Sequence, residues 1–203
     1  MRLEPVSPTR HAGDLFEASR HAHEIWTYLA YGPFESLASF TVWLEARAAS
    51  TDPLFYAVVD RQSGIARGMA SLMRMAPADG VIEIGHIWFE PSLQRTPQAT
   101  EAIFLLARHA FDDLGYRRLE WKCDSLNVPS RRAAERFGFT YEGIFRQHMV
   151  IKGRNRDTAW FSIIDSEWRS RRAAFEQWLA ATNFDRDGKQ RRSLSEIRAA
   201  LPA

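Results

Sequence analysis

The chain has 203 residues, of which 45% are hydrophobic and 26% are charged, and its formal net charge is +2. These are ordinary values for one globular domain with a full core, and the length is too short for two comfortable domains. A net charge so close to zero favours neither a nucleic-acid-binding protein nor a polyanion mimic, so we expect no nucleic-acid partner.

The compartment is predicted from cysteine usage and from the apolar runs of the sequence. Cys123 is the single cysteine, which excludes a disulfide within the chain and fits a reducing compartment. The stretch "MRLEPVSPTR" has no apolar core of signal-peptide length, and no apolar run approaches the length that spans a bilayer. We therefore expect a cytoplasmic protein without a membrane partner.

The first quarter of the chain predicts an edge strand and two helices. "MRLEPV" is typical of a short strand that ends at prolines, and a helical pattern follows from about Thr9, with Leu15 and Phe16 on its apolar face. Aromatic residues then crowd the stretch "HEIWTYLAYGPFES", whose lost periodicity predicts a loop. Ser36 is placed to cap a second helix.

From about residue 54 the apolar period changes from helical to alternating. "LFYAVVD" and "IARGMASLMRM" predict a hairpin, and "VIEIGHIWF" predicts a third strand. A helix should follow at "TPQATEAIFLLARHAF", then a strand at "RRLEWKCD" and a helix at "SRRAAERFG", which Gly138 closes in the left-handed conformation. "TYEGIFRQHMVI" and "DTAWFSIID" predict a last hairpin, before a helix at "EWRSRRAAFEQWLAA".

The order of these elements predicts the architecture. Hairpins mixed with crossover connections favour an α/β (α+β) fold, with a mixed, mostly antiparallel central sheet and helices on both faces. We expect one domain over residues 1–166 and an extra C-terminal helix packed on it over 167–182. The polar segment 183–203 should be a mobile tail with one helical turn near "SLSEIRAA".

The stretch "QRTPQATEA" has the features of an anion site at the start of a helix. Thr96 can cap the helix and Pro97 suits its first turn, which would leave nearby backbone amides without partners inside the helix. Free amides and the positive end of the helix dipole attract a diphosphate. The predicted donors are backbone or side-chain groups of Gln94, Arg95, Thr96, Gln98, Ala99 and Thr100. The alternative is an ordinary helix start, which has the same free amides.

Three stretches together resemble the GNAT superfamily of acyl-coenzyme A-dependent N-acetyltransferases, and within it the ribosomal-protein N-terminal acetyltransferase (Rim-type) branch. They are "VIEIGHIWF", "QRTPQATEA" and "NVPSRRAAERFGF", and the resemblance runs from about Arg2 to Ser166. It implies acetyl-CoA (coenzyme A) as cosubstrate and no metal. The acetyl group would go to a primary amine, either a protein N-terminus or a small-molecule amine, by direct attack without a covalent enzyme intermediate. We expect a monomer or a homodimer.

The resemblance also implies roles for the strand at residues 81–89. It places at Glu83 a carboxylate that accepts the proton of the amine through a water, whereas the sequence alone also allows a solvent-facing strand residue. His86 should point to the opposite face by strand alternation and be structural, unless a bulge re-aims it. In relatives this strand splays from its neighbour, and backbone N–H groups near Trp88 or Phe89 would there bind the acetyl carbonyl oxygen and the cofactor arm.

The stretch that begins at Asn127 carries the remaining implied roles. Asn127 would bond the cofactor arm, and Ser130, on the same helix face, would donate to the thiol sulfur. Ala134 stands where many relatives have a tyrosine that acts as the acid, and Arg131 could reach a cofactor phosphate. The alternative is that Asn127 and Ser130 simply begin a helix.

The aromatic residues around Trp26 are either core or the wall of an acceptor channel. Because the corresponding loop of relatives overlies that channel, the resemblance favours substrate binding by Trp26, Tyr31 and Phe34. Two other functions stay open from the sequence: transfer of a larger acyl group, and non-catalytic binding of acyl-CoA. The departures from the family pattern at Pro97, which replaces a glycine, and at Ala134 favour the second.

Overall fold

The computed structural model, which describes residues 1–202, is built around one seven-stranded sheet. The spatial order is β1-β2-β3-β4-β5-β7-β6, and every neighbouring pair is antiparallel except β4 and β5, which are parallel. The strand bounds are β1 Arg2–Pro5, β2 Leu54–Val59, β3 Ala66–Ala76, β4 Val81–Phe89, β5 Arg118–Asp124, β6 Thr140–Ile151 and β7 Arg154–Ile164. The predicted mixed, mostly antiparallel sheet is confirmed.

Helices cover both faces of this sheet, as predicted. They are α1 Pro8–Ser19, α2 Leu37–Ala48, α3 Pro97–Arg108, α4 Val128–Phe137, α5 Asp165–Leu179 and α6 Leu194–Ala199, with short 3-10 turns at His23–Trp26 and Ala181–Asn183 and a π turn at His109–Asp113. One face, which we call the α1–α2 face, is covered through Leu15, Phe40 and Leu44. The other, the α3–α5 face, is covered by α3, α4 and α5 through residues such as Ile103 and Phe175.

The helix ends follow the capping chemistry of the sequence. The Ser36 hydroxyl accepts from the backbone N–H of Ser39 at 3.2 Å and so caps α2, as predicted. Gly138, with a φ of +94°, ends α4 in the left-handed conformation that glycine adopts without strain. α4 begins at Val128, two residues before the predicted start, because the Asn127 side chain is its N-cap.

Strand β4 contains a bulge that reverses its side-chain alternation. Residues 69 and 71 of β3 pair with Trp88 and Gly85, so β4 has one residue more than β3 between these two pairs. His86 lies in the bulge with a φ of +52°, in the left-handed region. With strict alternation Trp88 would share a face with Ile84, but Trp88 packs on the α1–α2 face and Ile84 on the α3–α5 face.

The C-terminal segment packs on the domain, which differs from the predicted mobile tail. Leu194 and Ile197 of α6 are 1% and 2% exposed and belong to the core on the α3–α5 face. Asn183 is buried, and its side-chain amide bonds two backbone carbonyls. Arg198 donates to the carbonyl oxygen of Arg136 at 2.9 Å, at the end of α4. The prediction of a mobile tail was based on the polar composition of the segment. It did not take into account Leu194 and Ile197, two apolar residues at helical spacing.

No helix within residues 1–202 combines the length and the apolar character that a membrane span needs.

Candidate active site

Two central strands separate at the middle of the sheet and leave an open edge on each. β4 and β5 pair from Val81 with Arg118 to Ile84 with Trp121. Beyond that point, in the part of the chain that the structure describes, residues 85–89 of β4 pair with β3 alone and residues 122–124 of β5 with β7 alone. We call this opening the β4–β5 wedge. Trp88 and Phe89, near which backbone N–H groups are predicted to bind the acetyl carbonyl oxygen, lie on its β4 side.

The loop before α3 lies next to the end of β4, and its cap geometry corrects part of the predicted anion site. The Thr96 side chain accepts from the backbone N–H of Ala99 at 3.2 Å, and the N–H of Thr100 donates to the Thr96 carbonyl at 3.3 Å. The prediction that these two amides lack partners is therefore wrong. Thr100 is 2% exposed, and its hydroxyl accepts from the Arg136 guanidinium at 3.1 Å, which engages it within the fold.

The groups of this loop that remain available are Arg95 and Gln98. Both are exposed at the start of α3, and Arg95 turns the chain toward the helix with a φ of +62°. Within residues 1–202 the Arg95 guanidinium has no carboxylate within ion-pairing distance, which leaves a cation at the positive end of the helix dipole. The Gln94 side chain donates to the carbonyl of Phe89 at 3.1 Å and thus ties the loop to the β4 edge of the wedge.

The start of α4 borders the wedge from the β5 side. The side-chain oxygen of Asn127 accepts from the backbone N–H of Ser130 at 3.1 Å, so the amide nitrogen of Asn127 keeps its donors. The Ser130 oxygen accepts from the indole N–H of Trp121 at 3.0 Å. Arg131 is half-buried and donates to the Ser125 carbonyl at 3.3 Å. The helix-start interpretation of Asn127 is thus correct, but the Ser130 side chain is also held toward β5.

Glu83 lies in a buried ion network and is not a solvent-facing strand residue. It is 3% exposed, and its Oε2 lies 2.8 Å from the Arg74 guanidinium and 3.0 Å from the Lys122 ammonium. Lys122 also contacts Glu120 at 2.5 Å and lies 3.9 Å from the ring centroid of Trp160. Among residues 1–202 no hydrogen bond engages the Oε1 atom of Glu83, which leaves that oxygen for a water or a ligand.

His86 shares the α1–α2 face with Glu83, so the prediction of opposite faces is wrong. The bulge re-aims the imidazole, whose Nδ1 lies 3.1 Å from the Tyr31 hydroxyl. Its ring lies between those of Tyr31 and Phe55, at centroid distances of 5.6 and 4.9 Å. Burial lowers the pKa of His86 to about 4, and the nearby cations Arg47 and Arg74 act in the same direction, so the imidazole is neutral near pH 7.

The aromatic loop, residues 23–34, is core at one end and contacts His86 of β4 through Tyr31 at the other. Trp26 is 1% exposed and packs against Tyr31, Phe34 and Trp88 at centroid distances of 5.9, 5.5 and 5.3 Å. Tyr31 and Phe34 are half-buried. The Lys152 ammonium donates to the Trp26 carbonyl at 2.8 Å, which joins the loop to the turn between β6 and β7. The core interpretation therefore holds for Trp26.

A second irregularity, in β6, forms a cavity that the sequence did not predict. Residues 145 and 149 of β6 pair with residues 158 and 156 of β7, so the intervening part of β6 bulges out and lines an open cavity. His148 there lies 2.9 Å from the Thr158 hydroxyl, and Phe145 lies 4.4 Å from Trp160 between ring centroids. Because Trp160 also packs under Lys122, this cavity adjoins the Glu83 network.

Comparison with known proteins agrees with this geometry. A family model described as an acetyltransferase (GNAT) domain matches residues 1–140. The crystal structure of a GCN5-related N-acetyltransferase from Brucella melitensis has a TM-score of 0.95 and 54% identity, covering 98% of this chain and 90% of that one.

Two curated relatives match over shorter stretches. "Putative ribosomal N-acetyltransferase YdaF" of Bacillus subtilis is 30% identical over 101 residues, half of this chain, and "Uncharacterized N-acetyltransferase p20" of Bacillus licheniformis is 33% identical over 70 residues, 34% of this chain. The aligned parts span 55% and 39% of the lengths of these two relatives.

Proposed function

Because the chain belongs to the GNAT family of acetyltransferases, we propose that it transfers an acetyl group from acetyl-CoA to a primary amine by direct attack, without a covalent enzyme intermediate. The observation that carries the proposal is the β4–β5 wedge, with the start of α3 at one side and the start of α4 at the other. Backbone edges left open beside a helix N-terminus suit an extended, amide-containing arm that ends in phosphates.

The residues around the wedge fit acetyl-CoA, which would supply the acetyl group as a thioester. Arg95 and Gln98 would hold the diphosphate, since both are exposed where the helix dipole favours an anion. The free amide nitrogen of Asn127 would donate to the arm. Backbone N–H groups near Trp88 and Phe89 would donate to the acetyl carbonyl oxygen as negative charge develops on it.

We assign Glu83 the acceptance of the proton from the attacking amine, through a water on its Oε1. The other carboxylate oxygen is engaged by Arg74 and Lys122, which fixes the orientation of the group. An α-amine of pKa about 7.7–8.0 is about 10–15% neutral at pH 7, whereas a lysine amine is only about 0.04% neutral. A protein N-terminus therefore needs only weak general-base assistance from this carboxylate, and proton transfer through a water suffices.

We assign Ser130 a hydrogen bond to the departing thiolate. Ala134 is fully buried in the core and offers no hydroxyl at the position of the tyrosine found in many relatives. Ser130 lies on the β5 side of the wedge, and its oxygen already accepts from Trp121, so its O–H is the group that remains to donate. A free thiol has a pKa of about 8.5, so the thiolate leaves with modest help.

The packing of Trp88 favours acetyl over a larger acyl group. Its side chain is 3% exposed and packs against Trp26 at 5.3 Å between ring centroids, which fills the space beside the open end of β4. A longer acyl chain would have to displace part of this aromatic core. The free, buried Cys123 supports a reducing compartment such as the cytoplasm.

The acceptor we favour is a protein N-terminus, because one relative carries the name of a ribosomal N-acetyltransferase. The test is calorimetry with coenzyme A, followed by thiol release from acetyl-CoA with a panel of amines. The panel contains a peptide with a free N-terminus, the same peptide with a blocked N-terminus and one lysine, and a polyamine. We expect binding of coenzyme A and release with the free N-terminus. Binding without release for any amine would reject catalysis, and release only with the polyamine would reject the acceptor.

A further inference from the structure

The indole of Trp121 donates its N–H to the Ser130 hydroxyl oxygen at 3.0 Å, directly at the apex of the β4–β5 wedge. We propose that Trp121 is a positioning residue, which aims the Ser130 hydroxyl at the sulfur of the departing thiolate. This proposal rests on the proposed function of Ser130. It adds a residue that has no direct contact with the reacting atoms.

The packing of Trp121 fixes the direction of its N–H. The residue is 5% exposed, and it is the last residue of β5 that pairs with β4. Its ring lies between Phe137 and Phe139, at centroid distances of 6.0 and 5.6 Å. A side chain enclosed in this way holds one rotamer, so the donor stays aimed at the start of α4.

An indole N–H is a donor only, so this hydrogen bond leaves the Ser130 hydroxyl as the donor in any second bond. Serine and threonine in helices commonly donate to a carbonyl of the preceding turn, as Thr41 does to Leu37 at 2.8 Å and Ser170 to Glu167 at 3.0 Å. Within residues 1–202 the Ser130 hydroxyl makes no such bond. Its proton is therefore free for a partner outside its own helix.

A sulfur atom already lies within reach of this proton. Cys123 is two residues beyond Trp121 on the same face of β5. Burial raises the pKa of the Cys123 thiol, and a hydrogen bond from Ser130 acts in the opposite direction. A thiolate placed in the wedge would be a stronger acceptor for this hydroxyl than the neutral Cys123 thiol, because the thiolate is charged.

The step balances without a further reactant. The amine nitrogen forms a bond to the acetyl carbon, the carbon–sulfur bond breaks, and its electron pair leaves on sulfur. The amine proton leaves through the water on Glu83. Ser130 keeps its own proton and stabilises the thiolate by a hydrogen bond, and solvent protonates the thiolate after release. Trp121 changes no bond; it keeps the hydroxyl from rotating toward the backbone carbonyls of Leu126 and Asn127, which precede α4.

The test is Trp121→Phe, which keeps an aromatic ring and removes the N–H. We expect kcat to fall about 3–10-fold, the value of one neutral hydrogen bond, with the KM for acetyl-CoA changed less than about twofold. The control is Trp168→Phe, the same change on α5. The buried indole of Trp168 donates to Asp112 at 2.6 Å. Because that bond goes to a charged acceptor, this variant should lose at least as much thermal stability as Trp121→Phe and keep kcat.

The double variant distinguishes the two proposals. In a Ser130→Ala background Trp121→Phe should lower kcat no further, because the group that it positions is gone. If Ser130→Ala alone leaves kcat unchanged, the proposed role of Ser130 fails. If Ser130→Ala lowers kcat but Trp121→Phe does not, or if the two effects multiply, only the positioning role fails. As a measurement without turnover, the Trp121 indole proton resonance should shift in Ser130→Ala, and an unchanged resonance would overturn the assignment.

Discussion

Replacing Glu83 with glutamine removes the proposed proton acceptor while it keeps the size and hydrogen-bonding capacity of the side chain. The structure offers a close control. Glu120 is the register partner of Glu83 on β5, is also buried, and contacts the same Lys122 ammonium. Glu120→Gln therefore perturbs the same ion network from the other side, without touching the carboxylate that we place at the amine.

The expected magnitudes follow from the chemistry and from the burial. General-base assistance contributes about 10²–10⁴-fold, and a partly neutral α-amine needs the low end, so kcat should fall about 10–100-fold in Glu83→Gln. That corresponds to about 1.4–2.7 kcal/mol of transition-state stabilisation. Each variant also loses a charged hydrogen bond to a buried Lys122, which costs about 1–3 kcal/mol of folding stability. The two variants should thus be destabilised to a similar degree.

The assay compares steady-state acetylation of a peptide N-terminus with urea unfolding for both variants. We expect equal shifts in the unfolding midpoint of the two variants and a loss of kcat in Glu83→Gln alone. Equal kcat values in the two variants, whether both are normal or both reduced, would assign Glu83 to the ion network and refute its role as the base.

Three further predictions concern the pH dependence of stability, the packing of the C-terminal segment and the loop before α3. Because the folded pKa of His86 is about 4, below its ordinary value of 6.5, only the unfolded chain takes up this proton between those values. The free energy of unfolding should therefore fall by up to about 3 kcal/mol as the pH drops through that window, and it should fall less in His86→Asn, as measured by urea unfolding at several pH values. Ile197→Ala should lower the free energy of unfolding by about 2–4 kcal/mol, whereas Ile65→Ala, at a half-exposed side chain, should lower it by less than about 1 kcal/mol. Equally small losses in the two variants would show that the C-terminal segment is a mobile tail. Arg95→Ala should weaken coenzyme A about 3–10-fold, with a smaller salt dependence of the dissociation constant, and an unchanged constant in calorimetry would remove Arg95 from the site.

The parts of the fold that depend on neighbouring residues could be predicted from the sequence. The apolar alternation of residues 81–89 gives the bounds of β4, and Ser36, Thr96 and Gly138 mark helix ends because each acts on the backbone within a few residues. The mixed sheet follows from the order of these elements. The predicted anion site has fewer free backbone amides than expected, because the Thr96 side chain accepts from the N–H of Ala99.

The parts that depend on contacts between distant residues could not be predicted. From the sequence a bulge at His86 is only an alternative to strict alternation, because the adjacent Gly85 does not by itself require one. The bulge arises where β3 and β4 pair out of step. The sequence shows Glu83 as one charge in an apolar strand, and only the fold brings Arg74 and Lys122 to it. The contact of Trp121 with Ser130 likewise joins a strand and a helix whose relative position no periodicity encodes.

Amide hydrogen exchange of the protein with and without coenzyme A reports, residue by residue, where the cofactor binds. We expect coenzyme A to slow exchange in residues 85–89, the open edge of β4, and in residues 95–98 at the start of α3. Exchange in β1, at the far edge of the sheet, should stay the same. Slowed exchange confined to the cavity at residues 145–148, with no change in the wedge, would contradict the placement of the cofactor.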